Sequence, residues 1–139
     1  MKLVLLVGRI LFSIIFLLAG VSHITGEGVQ GAAAKGLPLA AVLVPLSGVV
    51  AVLGSLSIIL GYKAKIGAWL LVIFLIPVTL VMHNFWAAAD AMTRQMQMMN
   101  FMKNITMLGG AMMITFLGAG PWSIDAMLKA KKIEEGRPI

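Results

Sequence analysis

Long apolar runs, separated by short polar stretches, dominate this chain. Four of them have the roughly 20 residues that a helix needs to cross the hydrocarbon core of a bilayer: about 3–24, 39–60, 66–89 and 104–122. In hydrocarbon every backbone N–H and C=O must be bonded within the protein, so these runs are predicted to be helices. The pattern therefore predicts an all-α fold, an antiparallel four-helix bundle that forms a single transmembrane domain over residues 1–139, with a charged tail from about residue 125.

Composition supports a membrane location. About 60% of the 139 residues are hydrophobic and 12% are charged, too few polar groups to cover a soluble domain of this size. The first run is longer than the core of a secretion signal and contains Arg9, so we interpret it as a span. The chain has no cysteine, which excludes disulfides, thiolate nucleophiles and cysteine metal sites.

The basic residues predict the orientation. Lys and Arg cluster at the ends of the apolar runs, as expected beside anionic lipid headgroups, and we predict no nucleic-acid partner. With four spans, both termini and the 61–65 link share one side, which carries eight basic residues against three on the other: Lys2, Arg9, Lys63, Lys65, Lys129, Lys131, Lys132 and Arg137 against Lys35, Arg94 and Lys103. Both termini are therefore predicted to be cytoplasmic, in a bacterial inner membrane.

Polar side chains within the spans are predicted to gather in two layers, because ionisable groups are costly in hydrocarbon. The outer layer holds the candidate ligand-binding residues His83, Lys103, His23, Asn84 and Trp86. An imidazole beside an aromatic pocket can donate to a quinone carbonyl, and two imidazoles on facing helices can hold a haem or a metal. Simple hydrogen bonds between helices explain the same residues, and these alternatives stay open.

The inner layer contains Arg9 and Asp125. The simplest interpretation is a structural ion pair that ties the first span to the end of the fourth. No Ser–His–Asp grouping, paired carboxylates or zinc-ligand spacing occurs, so we assign no catalytic and no metal-binding residue and favour a non-catalytic membrane subunit.

Two further motifs are ambiguous. The Gly26–Gly31 segment matches a dinucleotide fingerprint, but it follows a membrane helix rather than a strand and is expected to be a flexible loop. Eight of the eleven methionines fall within 92–113. They suit either an interfacial amphipathic helix or a Cu(I)-handling site of soft thioether ligands.

The chain resembles the DoxX family of small four-helix bacterial membrane proteins over about residues 5–125. The matching features are Gly8-Arg9, the glycine-spaced second span that ends at Gly61, the basic link Lys63/Lys65, His83-Asn84-Phe85-Trp86, Asn100-Phe101-Met102-Lys103-Asn104, Gly118-Ala119-Gly120 and Ser123-Ile124-Asp125. Two departures are Ala51, where relatives often carry a glutamate, and His23, where a lysine is common. The resemblance implies a bundle in the cytoplasmic membrane that is associated with redox enzymes.

The leading hypothesis is a membrane subunit or anchor of a quinone-linked redox system, with a pocket for a small molecule or lipid near the periplasmic side. A soluble or membrane oxidoreductase subunit is the expected partner besides the bilayer, and a homo-oligomer is compatible with the small-residue face of span two. Quinone is the candidate cofactor, with haem as the weaker alternative. A small transporter or permease subunit and a Cu(I)-handling protein are the competing hypotheses.

Overall fold

The computed structural model describes residues 2–138, and within that range the chain is helical, without a strand. The elements are α1 (Lys2–Ile24), α2 (Val29–Ala34), α3 (Ala40–Leu60), α4 (Ala64–Met82), a 3₁₀ turn (Phe85–Ala87), α5 (Ala91–Leu117) and α6 (Ile124–Glu134). Met1 and Ile139, the ends of the predicted domain, lie outside the described residues.

Within residues 2–138, three segments are long and apolar enough to cross a membrane: Lys2–Ile24, Ala40–Leu60 and Ala64–Ala87. Their outer faces expose large apolar side chains, including Leu11 at 68% and Leu18 at 66%. Water does not tolerate continuous apolar surface of this kind, whereas lipid does. The chain is therefore an all-helical membrane protein that crosses the bilayer more than once; the fourth crossing, the antiparallel bundle and the N-in/C-in orientation stay predictions.

Helix ends differ from the apolar runs in two places. The third run continues to about residue 89, but α4 ends at Met82 and a 3₁₀ turn follows. The helix that contains the fourth run starts at Ala91, because the Asp90 carboxylate accepts a hydrogen bond from the Thr93 N–H at 2.9 Å and caps it there. This bond lowers the pKa of Asp90, so the cap is present at neutral pH and is lost as the pH falls through that lowered value.

The Gly26–Gly31 segment, predicted to be a flexible loop, consists of a turn followed by the start of α2. The 25–37 connection contains α2, and Ala32 on that short helix is fully buried against Ala40 and Val44 of α3. The glycines on either side take up the left-handed turns, with φ of +86° at Gly28 and +82° at Gly36. The connection thus folds back onto the ends of α3 and α4.

One apolar core joins the four long helices. Phe16 of α1, Ile58 of α3, Leu71 and Leu75 of α4 and Ala111 of α5 all belong to it. In chain order α1 packs on α3, α3 on α4, and α4 on α5.

The α1–α3 contact depends on two glycines. A Cβ on Gly20 would lie 2.8 Å from the Gly48 carbonyl oxygen, and one on Gly48 would lie 2.9 Å from the Cβ of His23. Backbones can approach this closely in a membrane only where side chains are absent. The pair therefore sets the spacing of the two helices and the position of His23.

We expect Gly48→Ala to lower the free energy of unfolding by about 1–3 kcal/mol, because the new methyl group has to push α1 away from α3. Gly8→Ala is the matched control, since a Cβ at Gly8 meets no atom within 4 Å. Unfolding in mixed micelles, followed by circular dichroism, measures both. Equal stability of the two variants would contradict the proposed close approach.

Candidate ligand site

A cavity of about 280 Å³ lies between α1, α3 and α4, near the C-terminal end of α1. Its walls are almost entirely apolar, with Val44 and Val50 from α3 and Phe74 and Val78 from α4 among the lining side chains. Two polar side chains reach it, His23 and Ser47. Such a site, apolar with few polar groups, has the character of a pocket for a small apolar ligand.

Pro77 contributes to the shape of the cavity. It lies inside α4, where its missing N–H and its ring disrupt the helical hydrogen bond to the carbonyl of Ile73. Both residues line the cavity. The irregularity of α4 and the empty space beside it therefore occur at the same level.

The hydrogen bonds of His23 define its chemistry. Ser47 donates its hydroxyl hydrogen to the Val44 carbonyl at 2.7 Å, so its Oγ accepts from His23 Nδ1 at 3.0 Å. A neutral imidazole with its proton on Nδ1 leaves Nε2 as an acceptor. In this tautomer the second ring nitrogen of His23 is an acceptor, whereas a quinone carbonyl would require a donor.

The α2 connection covers one end of the cavity. Gly28, Ala32 and Leu37 contribute to the lining. Lys35 Nζ donates to Asn84 Oδ1 at 2.8 Å, which joins this connection to the segment after α4. Asn84 therefore bonds the connection that covers the cavity but is not among the residues that line the cavity.

The other three predicted ligand residues lie outside the cavity: His83 and Trp86 contact α5, and Lys103 is an exposed residue of α5 itself. His83 Nδ1 shares a hydrogen bond of 2.9 Å with Gln97 Oε1, and Lys103 Nζ donates to Asn100 Oδ1 at 3.1 Å. Trp86 packs edge-to-face against Phe101, with ring centroids 6.0 Å apart. Of the five predicted residues only His23 lines the cavity, and a ligand-binding role for the other four stays a prediction.

Sequence reasoning missed Ser47 as a site residue. It stood out only as one of several small residues on span two, and no spacing signal within one helix reports a partner on another. The methionines of 92–102 lie exposed on α5, as expected for an amphipathic helix. Among residues 2–138 no group of three His, Cys, Asp or Glu side chains is placed to hold a metal, and the copper hypothesis stays untested.

Arg9 and Asp125 occupy one polar cluster at the opposite end of α1, but they do not form the predicted direct ion pair. Arg9 is 5% exposed and its Nη2 donates to the Trp122 carbonyl at 2.6 Å. Asp125 accepts from the backbone N–H groups of Lys63 at 2.8 Å and Ala64 at 3.1 Å. The unpaired amides at the start of α4 attract the carboxylate, because a helix N-terminus is electropositive.

The cluster still ties the spans together, by a different route. Asp125 N–H also donates to the Gly61 carbonyl at 2.8 Å, so the start of α6 is fixed to the α3–α4 link. Arg9 fixes α1 to the connection before α6. Both polar side chains bond backbone groups of other elements, and backbone partners leave no mark in a sequence pattern.

We expect Asp125→Asn to lower the free energy of unfolding by about 1–3 kcal/mol, and Asp125→Ala to lower it further. The asparagine keeps one acceptor oxygen for the two N–H groups, whereas alanine keeps none. Thermal unfolding in mild detergent ranks the stabilities of the two variants. The exposed Glu134→Gln is the control, because it also removes one negative charge. Equal midpoints for Asp125→Ala and the control would contradict the cap.

Comparison with known proteins gives one family. The sequence model of the SURF4 family matches residues 2–132. Inner membrane protein YqjF of Escherichia coli K12 is 29% identical over 126 residues, which cover 91% of this chain and 92% of that protein. Inner membrane protein YphA of the same organism is 28% identical over 124 residues, 87% of each chain. The ER-derived vesicles protein ERV29 of Saccharomyces cerevisiae is 27% identical over 81 residues, which cover 58% of this chain and 26% of ERV29. No solved structure gives a significant match.

The predicted membership of the DoxX family is therefore wrong. The features that suggested it are glycines at helix ends, aromatic residues near membrane boundaries and basic links between spans. These features are common among helical membrane proteins, so they do not distinguish one family from another. The redox role and the oxidoreductase partner were implied by that resemblance and lose their support with it. The quinone loses one of its two grounds, and the other was the imidazoles of the outer layer.

Proposed function

This chain belongs to the SURF4 family, and we propose that it is an inner-membrane protein that binds a lipid-like molecule with a hydroxyl group in the cavity between α1, α3 and α4. It is a multi-pass membrane protein by its apolar helices, and its two bacterial relatives are inner membrane proteins by name. The single observation that carries the proposal is the apolar cavity with one hydrogen-bonded imidazole on its wall.

The size and the polarity of the cavity together restrict the ligand. At about 280 Å³ it lies near the lower end of the range of roughly 300–1,000 Å³ that small-molecule sites occupy. That space suits a segment of hydrocarbon chain rather than a whole two-chain lipid. His23 Nε2, as an acceptor, favours a hydroxyl donor at the end of that chain.

The proposed ligand is therefore a single-chain lipid alcohol or a similar amphiphile. No observation on the described residues favours a transport path or a copper site over this proposal, and the self-association expected from span two stays a prediction.

We expect Val78→Phe to lower the amount of co-purified single-chain lipid at least tenfold, because the larger ring occupies the cavity. Val42→Phe is the matched control, since Val42 is 61% exposed on the same type of membrane helix and does not line the cavity. Purification in mild detergent, solvent extraction and mass spectrometry measure the bound lipid. Equal lipid content in Val78→Phe and the wild type would overturn the proposed site.

A second experiment tests whether His23 accepts a hydrogen bond from the hydroxyl group of the ligand. His23→Leu should weaken binding of a long-chain alcohol by roughly two- to tenfold, the value of one net hydrogen bond, and leave binding of the corresponding methyl ether unchanged. Equal losses for the two probes would show that His23 acts only through packing.

We also propose that α5 provides a fourth crossing, with both termini in the cytoplasm. The distribution of basic residues supports this, and so does the packing of α5 on α4. Because the chain has no cysteine, single cysteines report each side directly.

A membrane-impermeant maleimide should label Glu27→Cys in spheroplasts but label Arg137→Cys only after lysis. With three crossings both positions would lie outside and both would react before lysis. That result would remove the fourth crossing while leaving the cavity proposal intact.

A further inference from the structure

A second concavity, of about 600 Å³, lies at the end of the protein opposite the cavity. It is bounded by the α3–α4 link, the connection after α5 and the start of α6. Three lysines line it, and we call it the lysine groove: Lys63, Lys65 and Lys129, with Gly118, Gly120 and Ser123 among its other lining residues. A groove with three cations points to an anionic occupant.

The groove keeps a net positive charge, because its three lysines face a single carboxylate, Asp125. Within residues 2–138 no carboxylate lies at ion-pair distance from any of the three lysines. Asp125 is in the lining, but its two oxygens are engaged by the backbone amides at the start of α4. Lys63 Nζ lies 5.5 Å from the centre of the Tyr62 ring, an attraction that leaves its charge in place.

A tight backbone turn at Gly118 and Gly120 forms part of the lining of the groove. Gly118 has φ of +74° and ψ of −163°, which only glycine adopts readily, and Gly120 has φ of +71°. The side chain of Lys65 passes over this turn, with Cε 3.5 Å from the position of a Cβ on Gly118. The stem of Lys65 therefore lies beside the turn, and the residue itself remains exposed.

The same groove has an apolar wall. Ile66 on α4 and Leu117 on α5 line it, and they are 57% and 68% exposed. Each is one of the large apolar side chains that α4 and α5 turn outward. An occupant that fits both walls carries an anionic group beside a hydrocarbon chain.

We propose that the lysine groove binds an anionic phospholipid, with the headgroup phosphate between Lys63, Lys65 and Lys129 and an acyl chain along Ile66 and Leu117. The lysines act by charge and by N–H donation to phosphate oxygens. The site is separate from the His23 cavity, so neither proposal depends on the other.

The test uses the full chain in nanodiscs of phosphatidylglycerol and phosphatidylethanolamine, followed by native mass spectrometry of the lipid retained. The variant K63Q/K65Q/K129Q should retain phosphatidylglycerol about a hundredfold less well, since each lysine near a membrane surface contributes about fivefold. K2Q/K131Q/K132Q removes the same charge outside the groove and should change retention less than fivefold. K63R/K65R/K129R keeps the charge and should retain the lipid.

Three results would overturn the proposal. Equal losses in the two glutamine variants would reduce the effect to general surface charge. Equal retention of phosphatidylethanolamine by the wild type would remove the selectivity for an anion. Binding of soluble glycerol 3-phosphate as tightly as the whole lipid would assign the groove to a free phosphate compound, because Ile66 and Leu117 would then contribute nothing.

Discussion

The close contact of α1 with α3 is the constraint on which the part of the structure around the His23 cavity depends. Lipid gives helices little hydrophobic reason to associate, so packing has to hold them, and packing is best where small residues let backbones meet. Gly20 and Gly48 provide that meeting point. Because His23 follows Gly20 by about one turn, the contact also brings its imidazole within hydrogen-bond distance of Ser47.

The cavity lies where α4 faces the ends of α1 and α3. Pro77 lines it, and because proline has no N–H, α4 lacks one backbone hydrogen bond at this place. Two helices in tight contact and a third with an irregular wall leave a space that no side chain fills. The α2 connection then covers this space through Ala32 and the bond from Lys35 to Asn84.

The sequence was sufficient for the helical membrane architecture, because hydrocarbon imposes length and apolarity on every span. It was weaker at helix ends, where one side chain such as Asp90 decides the boundary. It was weakest for the sites. His23 was identified because a histidine in a span is conspicuous, while its partner Ser47 was not. Arg9 and Asp125 were predicted to be each other's partners, whereas in the structure both bond backbone groups, which sequence patterns do not display.

The cap that Asp125 places on α4 has a consequence for the order of assembly. The helix begins at Ala64, yet the carboxylate that satisfies its first amides is 61 residues further along the chain. At ribosomal speeds of about 5–20 residues per second, α4 enters the membrane some seconds before its cap is synthesised. During that interval its N-terminal amides have to rely on water or lipid headgroups at the boundary. Among the described helices, α6 is therefore both the latest to be made and the one that completes the start of α4.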